Sequence, residues 1–309
     1  MAAQSLTWPR ELADALWLLQ SPALIRRDRY PLVGDARLHL AGQQLQTQWQ
    51  DQDRDRLAAE AAEWVTAQPR TYKLGIRAEA LLVWALRQLP RFRLLASQLQ
   101  LRDGSTCLGE LDFLIEDRVL QRYEHWELAL KFFGWSGAAW VGPDSKDLLT
   151  QKLQRMQGRQ LALSQTTAFH DWIEQHAPEA KRSPWQRRLL SRGFAFVPWG
   201  KALPTDQAEV SRHAQHGWLL HRDRLPSAAE FPSIHRWASL PRELWMSRYV
   251  HDRDRAGILA EARSLLELAA IAPQDTAQFV VGCNAQGIEI SRGFLVHPDW
   301  PQMANHPPT

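Results

Sequence analysis

The chain has 309 residues, 45% hydrophobic and 23% charged, with a formal net charge of +3. That is globular composition with enough length for a full core and more than one domain, and it excludes a low-complexity or largely disordered chain. A pI near 9.0 is only a weak pointer to an anionic partner, since strong nucleic-acid binders carry a more lopsided basic field.

Two cysteines, Cys107 and Cys283, exclude a disulfide scaffold and any CxxC zinc site, and they fit a reducing cytoplasm. The longest apolar run, ALLVWAL at 80–86, falls far short of the ~20 residues that span a bilayer. The N-terminal MAAQSLTWPRELADALWLLQ has no basic leader and carries acids among its apolar residues, so it reads as an amphipathic helix and not a signal peptide. Fifteen tryptophans are spread along the whole chain, which favours core packing over a base-stacking platform.

In chain order, residues 1–70 are predicted to be a helical extension with two segments, TWPRELADALWLL and DRDRLAAEAAEWV, behind Thr and Asp caps. DQDRDR lacks the Gly and terminal Glu of a calcium loop and reads as a charged helix start. KLGIRAEALLVWALRQLP is a helix that stops before Pro90. FRLLASQLQL then runs to a hairpin-type turn at Asp103-Gly104. TCLGELDFLIED alternates, with Glu110, Asp112 and Leu114 on one face. After a polar link, HWELALKFF places Glu127, Ala129 and Lys131 together on one face.

GWSGAAWVGPD reads as a Gly-rich loop or short strand, and DSKDLLTQKLQRMQGRQLALS as one amphipathic helix capped by Asp144 or Ser145. The run KRSPWQRRLLSR at 181–192 holds five cations and no acid. Its plain reading is a solvated helix face, and its sharper one is a phosphate-contacting surface through Arg187 and Arg188. GFAFVPW follows as a strand. Beyond 200, HGWLLHR, HRWASL and LWMSRY look strand-like, DRAGILAEARSLLELAA helical, and AQFVVGCNAQGIEISRGFLV a final hairpin. The predicted organisation is 1–70 helical, 71–200 an α/β core of order αβββαβ, and 201–309 a mixed, β-rich α+β region.

Acids on adjacent strands are the feature with chemical content. Asp112 and Glu127 on one side of neighbouring strands would lie ~5 Å apart. Two carboxylates that close repel unless a cation intervenes, and oxygen ligands select a hard divalent ion such as Mg²⁺ or Mn²⁺. Lys131 lies two pleats along from Glu127, ~7 Å away on the same face. A metal, a positioned water and a cation are the parts that phosphodiester hydrolysis needs. The bland alternative is a solvated sheet face with a cross-strand Glu–Lys pair, worth a few tenths of a kcal/mol. Other motifs fail: no PCxxC follows the HWE of His125–Glu127, and no GxGxxG, GxxxxGK[ST] or GxSxG occurs. The eleven histidines are scattered and suggest no metal cluster.

GELDFLIED followed by a Glu/Lys strand resembles the heart of the PD-(D/E)XK nuclease superfamily, which includes restriction endonucleases and Holliday-junction resolvases. LGIRAEALL, GELDFLIED, HWELALKFF and GPDSKDLLTQKLQRMQGRQLALS together resemble a bacterial family, domain-of-unknown-function family 1853, most specifically over 72–165. The resemblance implies a restriction-endonuclease-like fold and Mg²⁺- or Mn²⁺-dependent cleavage of DNA. Asp112 and Glu127 would hold the metal, Glu79 on the preceding helix would support it, and Lys131 would activate water or stabilise the developing charge. Lys152, Gln154 and Arg155 would contact nucleic acid. The sequence departs from the superfamily at one point: Ala129 stands where the lysine of a Glu-x-Lys motif belongs, and Lys131 comes one pleat later. That departure supports the other expectation, a catalytically inactive protein of this fold that binds nucleic acid or serves as a scaffold.

Overall fold

The computed structural model describes residues 8–69, 73–204, 209–248, 264–271 and 276–301. Three helices open the described chain: α1 (Arg10–Gln20), α2 (Asp35–Gln50) and α3 (Arg54–Thr66). Asp53 caps α3 through the N–H groups of Asp55 and Arg56, as the charged helix start requires. The sequence predicts two helical segments here, and the structure adds a third, α2. Its apolar Leu38, Ala41, Leu45 and Trp49 are helically spaced and buried, but glutamines separate them.

The helix α4 (Leu74–Arg87) then leads into the meander β1 (Phe92–Asp103), β2 (Thr106–Asp117) and β3 (Arg122–Trp135). The β1–β2 turn uses Gly104 at φ 57. Asp117 holds the β2–β3 turn by accepting the N–H groups of Val119 and Leu120. A short strand β4 (Trp140–Val141) edges β3. The chain crosses over through α5 (Leu149–Arg155), a π turn (Met156–Gln160), a 3₁₀ turn (Leu163–Gln165) and α6 (Thr167–His176) to β5 (Trp185–Pro198), which runs parallel to β3.

Two expectations are corrected in this crossover. The N-cap is Leu148, not Asp144 or Ser145, and α5 begins only at Leu149, because residues 142–147 first close a turn in which the Gly142 N–H donates to the Asp147 carbonyl and the Ser145 N–H to the Gly142 carbonyl. The basic run 181–192 is no helix face: β5 starts at Trp185, so most of it is strand.

Strands β6 (His216–His221), β7 (Arg236–Ser239), β8 (Gln278–Cys283) and β9 (Glu289–Val296), with the short helix α7 (Leu265–Ala270), complete the fold. LWMSRY is not a strand: Arg242–Leu244 form a 3₁₀ turn, and Tyr249 lies outside the described residues. Much of the expected helix over DRAGILAEARSLLELAA also lies outside them. Among the described residues, the strands form one mixed nine-stranded sheet of order β1-β2-β3-β5-β6-β9-β8-β7, with β4 beside β3. The fold is mixed α/β: the sheet draws its strands from the regions 71–200 and 201–309, and α1–α3 of the region 1–70 pack into the same core.

Alternation along β3 sorts the layers. Trp126, Leu128 and Phe132 join a core with α1–α4, Phe196, Phe279 and Phe294. Ala129 and Phe133 join another with Leu149 and Leu153 of α5 and Leu189 of β5. None of the fifteen tryptophans is exposed, in line with their packing role. No helix among the described residues is long and apolar enough to cross a membrane.

Candidate metal centre

The site forms where the β2–β3 ladder opens. Backbone pairing runs from Asp117↔Arg122 to Phe113↔Trp126 and stops there. The next pair in that register would be Asp112 opposite Glu127. Side chains replace the ladder instead: Asp112 Oδ2 accepts the Leu128 N–H at 2.7 Å, and Glu127 Oε1 accepts the Asp112 N–H at 3.4 Å. An interrupted ladder leaves orphan backbone N–H groups, and the two carboxylates satisfy two of them while being drawn into the gap.

Helix α4 lies against this opening and brings Glu79, which accepts from Gln98 Nε2 of β1 at 3.0 Å. Oxygens of Glu79, Glu110 and Asp112 converge within 4.8 Å of one another. Glu110 follows from the two-residue period of β2, yet sequence reading left it out of the candidate ligands. Glu127 is not part of that convergent set. It is fully buried, its Oε1 is 2.7 Å from His125 Nε2, and its Oε2 has no partner.

The electrostatics reflect crowded negative charge. Burial first, and then Glu127, Glu79 and Glu110, raise the Asp112 carboxyl well above its usual range, against the Leu128 N–H. Glu127 is pushed up to about 8, chiefly by burial, with Glu79 and Glu110 adding and the Asp112 N–H opposing. Glu79 is raised by burial and Glu110, while Gln98 and Lys131 lower it. Burial, then Lys152, brings the half-buried Lys131 down to about 8, against Asp112, Asp147 and Glu79. Mutual repulsion among acids, and a buried carboxylate oxygen with no partner, are what a divalent cation would relieve, so the residues fit a hard metal ion.

Register explains how Lys131 is presented. On β5 its partner is Gly193, where a Cβ would fall 1.6 Å from the Lys131 carbonyl oxygen and φ is +141. Only glycine lets β3 and β5 approach so closely there. Lys131 borders a cleft of about 590 Å³ lined also by Lys73, Asp144, Asp147, Lys152 and Arg242.

The structure thus brings Glu79, Asp112, Glu127 and Lys131 into one neighbourhood and adds Lys152, which is ion-paired with Asp147. The other expected nucleic-acid contacts are dispersed. Gln154 and Arg155 are exposed and line a separate shallow groove with Arg159. Arg187 and Arg188 are adjacent in a strand and so face opposite sides of the sheet. Arg188 lies toward Glu124, 3.9 Å away, and Arg187 beside His125. His125 and Ser164, in contact behind Glu127, were also absent from the sequence-predicted site; the i, i+2 spacing of His125 and Glu127 was the available signal.

Neither a curated protein nor a solved structure matches the chain. A family model does, over residues 11–296, and the chain therefore belongs to the family described as Domain of unknown function (DUF1853).

Proposed function

We propose that the chain is a cytoplasmic, divalent-cation-dependent phosphodiesterase of PD-(D/E)XK type that cleaves DNA. The observation that carries this reading is the opened β2–β3 ladder, with Asp112 drawn into the gap beside Glu79, Glu110 and Glu127 and Lys131 on the adjoining cleft wall. The order α4-β1-β2-β3-α5-β5, with β5 parallel to β3, supports it, being the αβββαβ arrangement the motifs imply. In this reading Asp112 and Glu79, with Glu110 beside them, would hold Mg²⁺ or Mn²⁺, and the open oxygen of Glu127 would be a further donor. When bound, the ion would supply polarisation of a phosphate oxygen and activation of a water. Lys131 stabilises charge developing on the phosphate, and Lys152 orients the strand.

A second reading has one observation in its favour. Glu127 Oε1 is engaged by His125, and the lysine sits four residues after the glutamate, as a binding or scaffold protein that has lost the chemistry could tolerate. The experiment is cleavage of plasmid, linear, single-stranded and branched DNA in Mg²⁺ or Mn²⁺, with Asp112→Ala as control. Metal-dependent cleavage by wild type alone is expected. No cleavage of any substrate with either ion hands the protein to the scaffold reading.

A further inference from the structure

We propose that His125, held in turn by Ser164, is a positioning residue that fixes the orientation of the Glu127 carboxylate, leaving one of its oxygens open to the cation. The inference rests on the metal reading above and concerns groups that lie behind the ligands. His125 and Glu127 are two residues apart on β3 and share a face. Both are fully buried, and Ser164 on the 3₁₀ turn is 4% exposed. His125 Nε2 lies 2.7 Å from Glu127 Oε1, and His125 Nδ1 lies 3.0 Å from Ser164 Oγ. Both imidazole nitrogens are therefore engaged, which locks the ring.

The consequence falls on Glu127. Oε1 carries two contacts, from His125 and from the Asp112 N–H, while buried Oε2 carries none. A carboxylate that turned freely about its last torsion would sample every orientation. This one is held in the plane set by the two contacts, so one oxygen stays engaged and the other stays open. Oε2 is left without a protein partner, and a buried acceptor in that state is costly until a ligand satisfies it. Hydrogen-bonded groups of this kind behind metal ligands orient them, and losing one typically costs about 10–100-fold in metal affinity.

The test is Mn²⁺ binding to the full-length protein, by calorimetry and by the EPR signal of free Mn²⁺, at one fixed pH. His125→Ala should weaken binding about 10–100-fold. His125→Gln, whose amide can reach Glu127 Oε1, should keep most of the affinity, and Ser164→Ala should lose less than His125→Ala. In a Glu127→Gln background, His125→Ala should cost nothing further, a non-additivity that a merely structural role would not produce. Should His125→Ala fail to fold by circular dichroism, His125→Gln and Ser164→Ala carry the comparison. Wild-type affinity in His125→Ala, or in Ser164→Ala where it alone folds, overturns the positioning role and leaves the metal reading standing. Absence of saturable Mn²⁺ binding in wild type, or binding untouched by Asp112→Asn, overturns both.

Discussion

At position 129, where a Glu-x-Lys motif would carry its lysine, the structure gives a steric reason for the alanine. Ala129 is 0% exposed, in a cluster with Leu149 and Leu153 of α5 and Leu189 of β5. A lysine there would need its stem accommodated in a filled core and its charge left unpaired among apolar groups. One pleat on, the same face of β3 opens onto the cleft, and there the lysine sits. Lys131→Ala should leave a folded, Mn²⁺-binding protein whose cleavage rate falls by roughly 10²–10³. The combination Ala129→Lys with Lys131→Ala should unfold at lower urea than wild type and recover no activity. Equal cleavage by wild type and Lys131→Ala would mean the cation acts elsewhere. The raised acids give a second prediction at this scale. Folding lifts Glu127 from 4.5 to about 8. Between those values the folded protein keeps a proton that the unfolded chain has released, so Glu127's contribution to stability is full below 4.5 and is lost as pH rises through about 8. His125, lowered from 6.5 to about 3, acts with the opposite slope over its own window. The contribution of Glu127 is thus read as wild type minus Glu127→Gln, by urea unfolding in EDTA across pH. A difference that grows more favourable to wild type as pH rises would show Glu127 ionised in the fold. For the same reason Asp112→Asn should raise the thermal midpoint in EDTA, by removing repulsion, and abolish the rise that Mg²⁺ produces in wild type.

Among elements, α2 earns its place through one side chain. Buried Arg37 donates from Nη1 to Asp117 at 2.8 Å and from Nη2 to Glu124 at 2.5 Å, and lies 5.3 Å from the centre of the Trp126 ring. It ties the helical layer to the β2–β3 turn, a few residues from the opened ladder. Arg37→Ala should cost about 1.5–3 kcal/mol in urea unfolding, because it removes one charged donor from each of two buried carboxylates, of which Asp117 keeps Arg91 and Glu124 keeps Arg122 and the Trp126 N–H. A loss under ~1 kcal/mol would mark the pair as solvated, as surface pairs are. This contact also shows where the sequence stops being readable. The meander, its turns and the face shared by Glu127, Ala129 and Lys131 follow from period-two alternation and local turn residues, which are properties of neighbours in sequence. The cations of 181–192 mislead because their partners are distant. Arg192 is buried against the carbonyls of Leu18 and Leu19 at the end of α1 and pairs with Asp35 of α2, while Arg188 meets Glu124. A strand whose charges are answered by remote elements looks, in isolation, like a solvated helix face. Glu110 and His125 were missed for a related reason: their roles depend on a ladder that opens at one pair, and composition does not encode that opening.

For the whole molecule, the question is whether residues 71–200 could stand alone as the core that the motifs suggest. Strand β5 is not an edge: Ala195 to Pro198 pair with β6, and β9 continues the sheet beyond it. The rings across this seam interlock, with Phe196 stacked on Phe294 at 4.0 Å and Phe132, the neighbour of Lys131, edge-on to Trp245 at 5.3 Å. Asp14 of α1, fully buried, accepts from both the N–H and the hydroxyl of Ser247 at 3.0 and 2.6 Å. Cutting the chain after Gly200 would therefore bare a hydrophobic sheet face, open an unpaired strand edge and leave a buried carboxylate without those donors, three separate penalties. A fragment of residues 1–200 should bind ANS, unfold without a cooperative urea transition and fail to bind Mn²⁺, whereas the full chain should show one cooperative transition. Arg242 and Trp245 also line the cleft beside Lys131, so the C-terminal region shapes the wall along which a substrate strand would lie. A fragment that unfolded cooperatively and bound Mn²⁺ with full affinity would show that the metal centre needs only the first five strands and that the rest of the sheet serves another purpose.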